Sequence, residues 1–324
     1  LVMSDTIPQS VSNGCRKYIK SRIIINTFNT FNNVSRLKEV LAFANNKGGV
    51  AKTTTVQNVA AGLLLKNPDL RILCIDLDPQ GNLSSLLGWV EKRRQIGAVA
   101  TTIAEALRNG DDNSLPVYES SKGLYYVPAS SFLSDIEPDL HRQMQSKLVL
   151  ASLLGNEFLD MDNLYLHAPA LSEKVETRYV EDVFDYVLID CAPALSELTY
   201  NALGAASGVV IPVQLGSLSV DGIGRMIDAY KQVHKKLNHD LRMRGLLIVM
   251  ADERTNIARD TIDYLRETYE ADVFHTRIRQ TVKIGESQYQ HEDIFTYAPD
   301  CTAAKDYGEF VDELLATQNE EDVA

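Results

Sequence analysis

The sequence lacks a basic excess, a membrane-length apolar run and any cysteine spacing that serves a metal or a disulfide framework. Among 324 residues, 32 are Lys or Arg and 44 are Asp or Glu, a formal net charge of −12. The chain as a whole is therefore no electrostatic match for nucleic acid. The deficit is uneven: from Lys231 to Lys283, 11 basic side chains face 8 acidic ones, so a local basic patch stays open. No apolar run reaches the roughly 18 residues that would cross a bilayer. Leu1 to Ser21 has no continuous apolar core, so no signal peptide is expected. The acidic stretch from Glu309 has the wrong sign for a membrane-surface helix. The four cysteines, Cys15, Cys74, Cys191 and Cys301, form no CxxC pair, which removes the zinc and disulfide signals. Cys74 and Cys191 stand in or beside apolar runs, where cysteine behaves as a small core residue. A reducing, cytoplasmic setting is expected.

What is present is ample material for a core, with 45% hydrophobic residues. Residues 1–37 are polar and read as a loosely ordered extension containing one short β-prone run, Ile23–Ile25. From residue 38 to 316, short apolar runs alternate with helix-like segments, the βαβ pattern of a mainly parallel sheet. Residues 317–324 form an acidic tail. Strands are expected at Val40–Ala44, Arg71–Asp76, Leu124–Val127, Tyr186–Asp190, Gly208–Val213 and Gly245–Met250. Helices are expected at Lys52–Leu65, Glu137–Leu154, Ser196–Ala206, Val220–Leu237, Asn256–Tyr269 and Thr302–Leu315. Asp111–Ser121 reads as a surface loop and Asp160–Arg178 as an insertion. The fold class is α/β: one P-loop NTPase domain with a twisted, mainly parallel sheet flanked by helices.

The first strand runs into Asn45-Asn46-Lys47-Gly48-Gly49-Val50-Ala51-Lys52-Thr53-Thr54-Thr55, and a helix pattern follows at once. Glycines let the backbone fold closely around phosphate oxygens, and the free N–H groups at a helix start donate to them. Lys52 is placed for the β and γ phosphates and Thr53 for Mg²⁺. The usual GxxxxGK[ST] pattern is not met, because Asn46 and Ala51 hold the two glycine positions. The match is to KGGxxK[ST]T, a deviant form with an extra lysine, Lys47. Ala51 narrows the backbone choices of the loop.

Two further strands end in acids. Arg71–Asp76 leads into Asp76-Leu77-Asp78-Pro79-Gln80-Gly81-Asn82, and Tyr186–Asp190 leads into Cys191-Ala192-Pro193. Ligands of open α/β sheets lie beyond the carboxyl ends of the strands. Acids there are placed to meet Mg²⁺ or a water, Asp190 in the manner of a Walker B aspartate.

These three motifs resemble the ParA/Soj partition ATPases, within the group that includes MinD. The resemblance spans about residues 38–316. Ser196–Leu203 is similar to the family's segment after Walker B. Val209–Gln214 is similar to the strand that ends near the base, which implicates Pro212 and Gln214. Asp252-Glu253-Arg254-Thr255-Asn256 resembles a D-x-R-T-N turn. Ile278–Ser287 is similar to an IPxNVxLSEA stretch, with Arg279 in place of Pro and Gly285 in place of Ser.

The resemblance implies that ATP is held by Lys47, Gly48, Gly49, Val50, Ala51, Lys52, Thr53 and Thr54, and Mg²⁺ by Thr53, Asp78 and Asp190. Catalysis would rest on Lys47, Lys52 and Asp78. Lys47 would reach across a nucleotide-sandwich homodimer, and Asp78 would orient the attacking water. Non-specific DNA binding by the ATP dimer would fall to Arg254 and Lys283, with Arg277, Arg279 and Arg259 nearby. Lys283 stands where the family more often has Arg, which keeps the charge and loses the bidentate fork. A ParB-like partner that accelerates slow hydrolysis, partition of plasmid or chromosomal DNA, and a cytoplasmic, nucleoid-associated location complete the expectation.

The alternatives are a MinD-like or protein-compartment positioning ATPase, an iron–sulfur carrier, and a scaffold with a vestigial nucleotide site. The acidic C-terminus speaks against membrane cycling, and the isolated Cys191 against a cluster. The intact set Lys47, Lys52, Thr53, Asp78 and Asp190 speaks against lost chemistry. Residues 1–37 lack the pattern of a helix-turn-helix domain.

Overall fold

The computed structural model describes residues 36–321 apart from 98–99, 110–113, 143–145, 156–160, 174, 176–178, 216–218, 253–255 and 270–271. Eight strands form one sheet: β1 (Glu39–Phe43), β2 (Ile72–Asp76), β3 (Tyr118–Glu119), β4 (Tyr125–Val127), β5 (Tyr186–Asp190), β6 (Gly208–Gln214), β7 (Arg242–Ala251) and β8 (Val273–Arg279). Their order is β3-β4-β2-β5-β1-β6-β7-β8. All neighbours are parallel except β3 and β4. A mainly parallel sheet with helical crossovers is what the alternating pattern called for.

Both faces of the sheet are apolar because successive side chains point to opposite sides. Val40, Ala42, Leu73, Ile75, Val187 and Ile189 enter one core, under the helices Phe132–Arg142, Glu197–Ala205 and Ser219–Lys236. Leu41, Phe43, Ile72, Cys74 and Leu188 enter the other, under Lys52–Lys66 and Thr302–Glu321. The loop helix packs closely: a Cβ on Gly62 would meet Val311 Cγ2 at 2.9 Å, so only glycine lets the two helices approach there.

Five of the six expected strands match to within a residue at each end, and β7 begins three residues earlier than expected. The segment expected as one helix, Glu137–Leu154, is two: Phe132–Arg142 and Val149–Gly155. Asn201 holds the start of the second. Its amide donates to Ser146 O, and its Oδ1 accepts from Leu150 N at 3.1 Å. The closing helix runs past Leu315 to Glu321 and takes up much of the expected tail. Asp111–Ser121 is not a plain surface loop. Leu115, Val117 and Tyr118 are buried, and β3 pairs there with β4. Within Asp160–Arg178, Leu164, Ala168 and Leu171 are buried on the helices Met161–His167 and Pro169–Ser172. β8 was not expected, because as an edge strand it is apolar only in part. The extension before Arg36 lies outside the described residues.

Candidate active site

β1, β2 and β5 bring their carboxyl ends together. In the parallel ladders Asp190 stands opposite both Phe43 and Asp76. The loop leaving Phe43 therefore begins beside Asp190, with Asp76 one strand further on. Asn45, buried at the first turn, accepts from Lys47 N at 3.1 Å and donates to Pro212 O at 2.8 Å, tying the loop to β6. Gly49 and Ala51 both adopt left-handed backbone, at φ 73° and 56°. Ala51 is the residue before the helix Lys52–Lys66, so its strained turn aims the first helical N–H groups into the loop.

Lys52 is 7% exposed, and its Nζ donates to Lys47 O at 3.1 Å. Burial pulls its pKa down, against the charges of Asp190, Cys191 and Asp78. Thr53 Oγ1 donates to Asp190 Oδ2 at 2.6 Å. The other carboxylate oxygen, Asp190 Oδ1, is buried with no hydrogen-bond partner. Burial, and then the charge of Asp76, push the Asp190 carboxyl well above its ordinary range, while the Thr53 hydroxyl and Lys52 pull the other way. Asp76 is pushed up to about 6 by burial, although the side chain and backbone of Ser84 and the backbone of Asp78 hold it down. Asp78 is 8% exposed, and its Oδ1 accepts from Gln80 N at 3.0 Å.

This is an anion-rich, desolvated pocket with one buried cation. The donor set suits a hard divalent ion: a threonine hydroxyl, and a carboxylate with an unused oxygen. Among the described residues no group of three or more His, Cys, Asp or Glu could hold a metal alone. Lys52 and the loop N–H groups would hold the phosphates, and Thr53 with Asp190 would hold Mg²⁺. A divalent ion there would return Asp190 to its charged form.

A family model described as an AAA domain matches residues 38–243. The chain is 31% identical over 278 residues to the chromosome-partitioning ATPase Soj of Treponema pallidum, covering 86% of this chain and 97% of that one. It is 32% identical to the chromosome partitioning protein ParA of Myxococcus xanthus, covering 80% and 81%. The chain belongs to the ParA/Soj family of ATPases. Among solved structures, cobyrinic acid a,c-diamide synthase from Mycobacterium smegmatis, with a bound ATP analogue and magnesium, is 30% identical, with a TM-score of 0.63 over 85% of this chain and 93% of that one.

In this ParA/Soj-type chain the expected phosphate and metal residues lie in one place. Lys47, Gly48 and Gly49 are exposed and Val50 is buried. Thr54 accepts from Gln288 Nε2 at 2.7 Å. Pro212 meets the loop through Asn45, and Gln214 ends β6.

The basic residues form a second group. Arg277 and Arg279, on β8, line a cavity of about 720 Å³ together with Asp252, His275, Asp306 and Glu309. Arg279 is committed to Asp306, donating through Nε at 3.0 Å. Lys283 pairs with Glu286 at 2.7 Å on the helix Val282–Tyr289. Arg254 lies outside the described residues, and Arg259 stands on the helix Asn256–Tyr269.

Sequence reasoning missed Asn45, Ser84 and Gln288. Asn45 has a visible signal, a lone amide between an apolar strand and a glycine turn. Ser84 receives its role only through Asp76, donating by N and Oγ at 2.8 and 2.6 Å. Gln288 has no local signal, because its partner Thr54 is 234 residues away.

Proposed function

We propose that this chain is a Mg²⁺-dependent ATP hydrolase that pairs with a second copy on ATP, binds DNA without sequence preference and moves plasmid or chromosomal DNA with a ParB-like partner. The observation that carries the reading is the cluster of Lys52, Thr53, Asp78 and Asp190 beside an exposed Lys47. Lys52 offsets phosphate charge, and more so as negative charge builds on the β–γ bridge. Asp78, on the turn that follows β2, orients the water that attacks the γ-phosphate. ATP and water yield ADP and phosphate. Lys47 is exposed, so its ammonium is available to the triphosphate of a second subunit. A chain of net charge −12 needs such a cation to bring two nucleotide-loaded copies together. Loss of the γ-phosphate removes the shared anion and loosens the pair.

DNA contact would come from Arg254 and Lys283, with Arg277 and Arg279 beside them. Lys283, paired with Glu286, and Arg279, paired with Asp306, would each exchange a carboxylate for a DNA phosphate. Phosphate contacts of this kind weaken as salt rises. No helix among the described residues is long and apolar enough to cross a membrane, and we place the protein in the cytoplasm.

The test combines ATPase assays, sizing by light scattering and mobility shift on non-specific duplex. Asp78→Ala should abolish turnover and hold the ATP-bound dimer on DNA. Arg254→Ala with Lys283→Ala should weaken DNA binding and leave the dimer intact. Wild-type hydrolysis by Asp78→Ala would remove that residue from the mechanism. Hydrolysis without DNA binding in any nucleotide state would favour a protein-surface positioning ATPase.

A further inference from the structure

Three successive threonines stand in the first turn of the loop helix Lys52–Lys66, and their hydroxyls are used in three different ways. Thr53 Oγ1 donates to Asp190 Oδ2 at 2.6 Å. Thr55 Oγ1 donates back to Ala51 O at 2.7 Å. Thr54 Oγ1 only accepts, from Gln288 Nε2 at 2.7 Å. Among the described residues the Thr54 hydroxyl hydrogen meets no acceptor. Thr54 is 6% exposed, close to the 7% of Lys52. A hydroxyl closed in to that degree is expected to donate as well as accept.

Gln288 is held where it makes this contact. It stands in the last turn of the helix Val282–Tyr289, beside Ser287, which is 1% exposed. Further along the chain, Ile294 N donates to Asn58 Oδ1 at 2.8 Å, and Asn58 Nδ2 donates to Thr54 O at 2.8 Å. The segment is therefore pinned to the loop helix by bonds that a change at Gln288 leaves in place. The direction of the Gln288 bond sets the direction of the hydroxyl. An oxygen that accepts from an amide turns its own hydrogen elsewhere. The acceptor that the first turn of a helix attracts is an anion, and an O–H that itself accepts a bond donates more strongly.

We propose that Gln288 is a positioning residue for the nucleotide: its amide orients the Thr54 hydroxyl so that this hydroxyl donates to a phosphate oxygen. Thr54 touches the phosphate, and Gln288 acts through Thr54. The inference rests on the reading of the loop as a triphosphate site, and it adds a residue that lies 234 positions from the loop in sequence.

Calorimetric titration of the full chain with β,γ-imido-ATP and Mg²⁺ tests it, beside urea unfolding without nucleotide. Gln288→Leu, which cannot donate, should weaken the analogue about fivefold. Gln288→Glu, which only accepts, would draw the hydroxyl hydrogen to itself and should weaken the analogue about tenfold more. In the Thr54→Val background no hydroxyl remains. There Gln288→Leu should change the affinity less than about twofold, and Gln288→Glu should show the effect of its charge alone. Wild-type affinity in Gln288→Leu overturns the proposal, as does a loss of the same size in both backgrounds. A coupling of the two positions that appears in the urea midpoint and not in nucleotide affinity makes the bond a structural tie and overturns it too. A wild-type chain that binds no nucleotide would remove the triphosphate reading and this inference together, whereas nucleotide binding unaffected by the variants removes the inference alone.

Discussion

The two ends of the same sheet treat buried charge in opposite ways. At the amino end, Glu39 of β1 faces Arg244 of β7 at 3.1 Å, and Arg244 Nη2 also donates to Leu314 O and Thr317 Oγ1, each at 3.0 Å. Beside them Asp185 accepts from Arg36 Nε at 2.8 Å and from Arg71 N at 2.7 Å. Asn238 donates to the carbonyls of Leu203 and Ala206. At the carboxyl end, three acids share one buried lysine, a carboxylate oxygen is left without a partner, and an alanine is held in a left-handed turn. One end is closed by protein groups alone. The other is complete only with a triphosphate and a cation. A parallel sheet makes this asymmetry natural, because every helix that begins above a carboxyl end turns free N–H groups toward the same place.

The largest effect expected from breaking this contrast is chemical. Lys52→Ala removes the one buried cation that faces the acids among the described residues, and ATP hydrolysis should fall about 10²–10³-fold, the usual cost of losing a preorganised charge contact. Steady-state phosphate release measures it. Arg244→Leu, at the other end, should leave turnover per folded molecule unchanged and cost about 3–5 kcal/mol of stability, because the buried Glu39 loses the guanidinium 3.1 Å away. Urea unfolding measures it. The double variant Glu39→Leu with Arg244→Leu should be less damaged than the single one, and equal damage would mean that Arg244 acts through Leu314 and Thr317 instead.

The contrast also explains what the sequence could disclose. The phosphate loop, both acid-ended strands and the core strands were legible because each is a local string with its own periodicity. Five strands fell within a residue of their places at both ends for that reason. The edge strand β8 was not legible, since Val273, Phe274 and Ile278 alternate with exposed or half-buried neighbours in a way that weakens the apolar signal. Asn45, Ser84 and Gln288 escaped because their roles are set by distant partners: Asn45 reaches Pro212, Ser84 reaches Asp76 and Ala129 N, and Gln288 reaches Thr54. Residue types announce chemistry, whereas long-range hydrogen bonds must be observed.

A smaller effect has a pH signature. Asp190 has a raised pKa, so ionising it opposes folding of the nucleotide-free protein. The sign follows: below its unfolded value near 4 both states are protonated and the penalty is absent, and it grows as pH rises toward the folded-state value. Asp190→Asn keeps an acceptor for the Thr53 hydroxyl and removes the charge. Without nucleotide it should stabilise the protein at pH 8, with the gain vanishing near pH 4. With ATP and Mg²⁺ the order should reverse, because the variant lacks the carboxylate proposed to serve Mg²⁺. Thermal melts at both pH values, with and without nucleotide, check all four cases. A pH-independent gain would mean that packing, not charge, sets the difference.

The smallest expected effect concerns the backbone. Ala51 takes φ 56° and ψ 28° immediately before the loop helix, where a Cβ crowds the following carbonyl. Relief of that crowding by Ala51→Gly is worth roughly 1 kcal/mol. Against it stands the greater freedom of glycine in the unfolded chain, about 0.4–1 kcal/mol. The net gain should be no more than about 0.5 kcal/mol, read as a slightly higher urea midpoint with an unchanged slope. ATP affinity should hold or rise, since the turn that aims the helical N–H groups is kept and freed of strain. A loss of more than 1 kcal/mol would show that the Ala51 methyl contributes contacts in the core beneath the loop helix that outweigh its strain, and the left-handed turn would then be held by packing rather than merely tolerated.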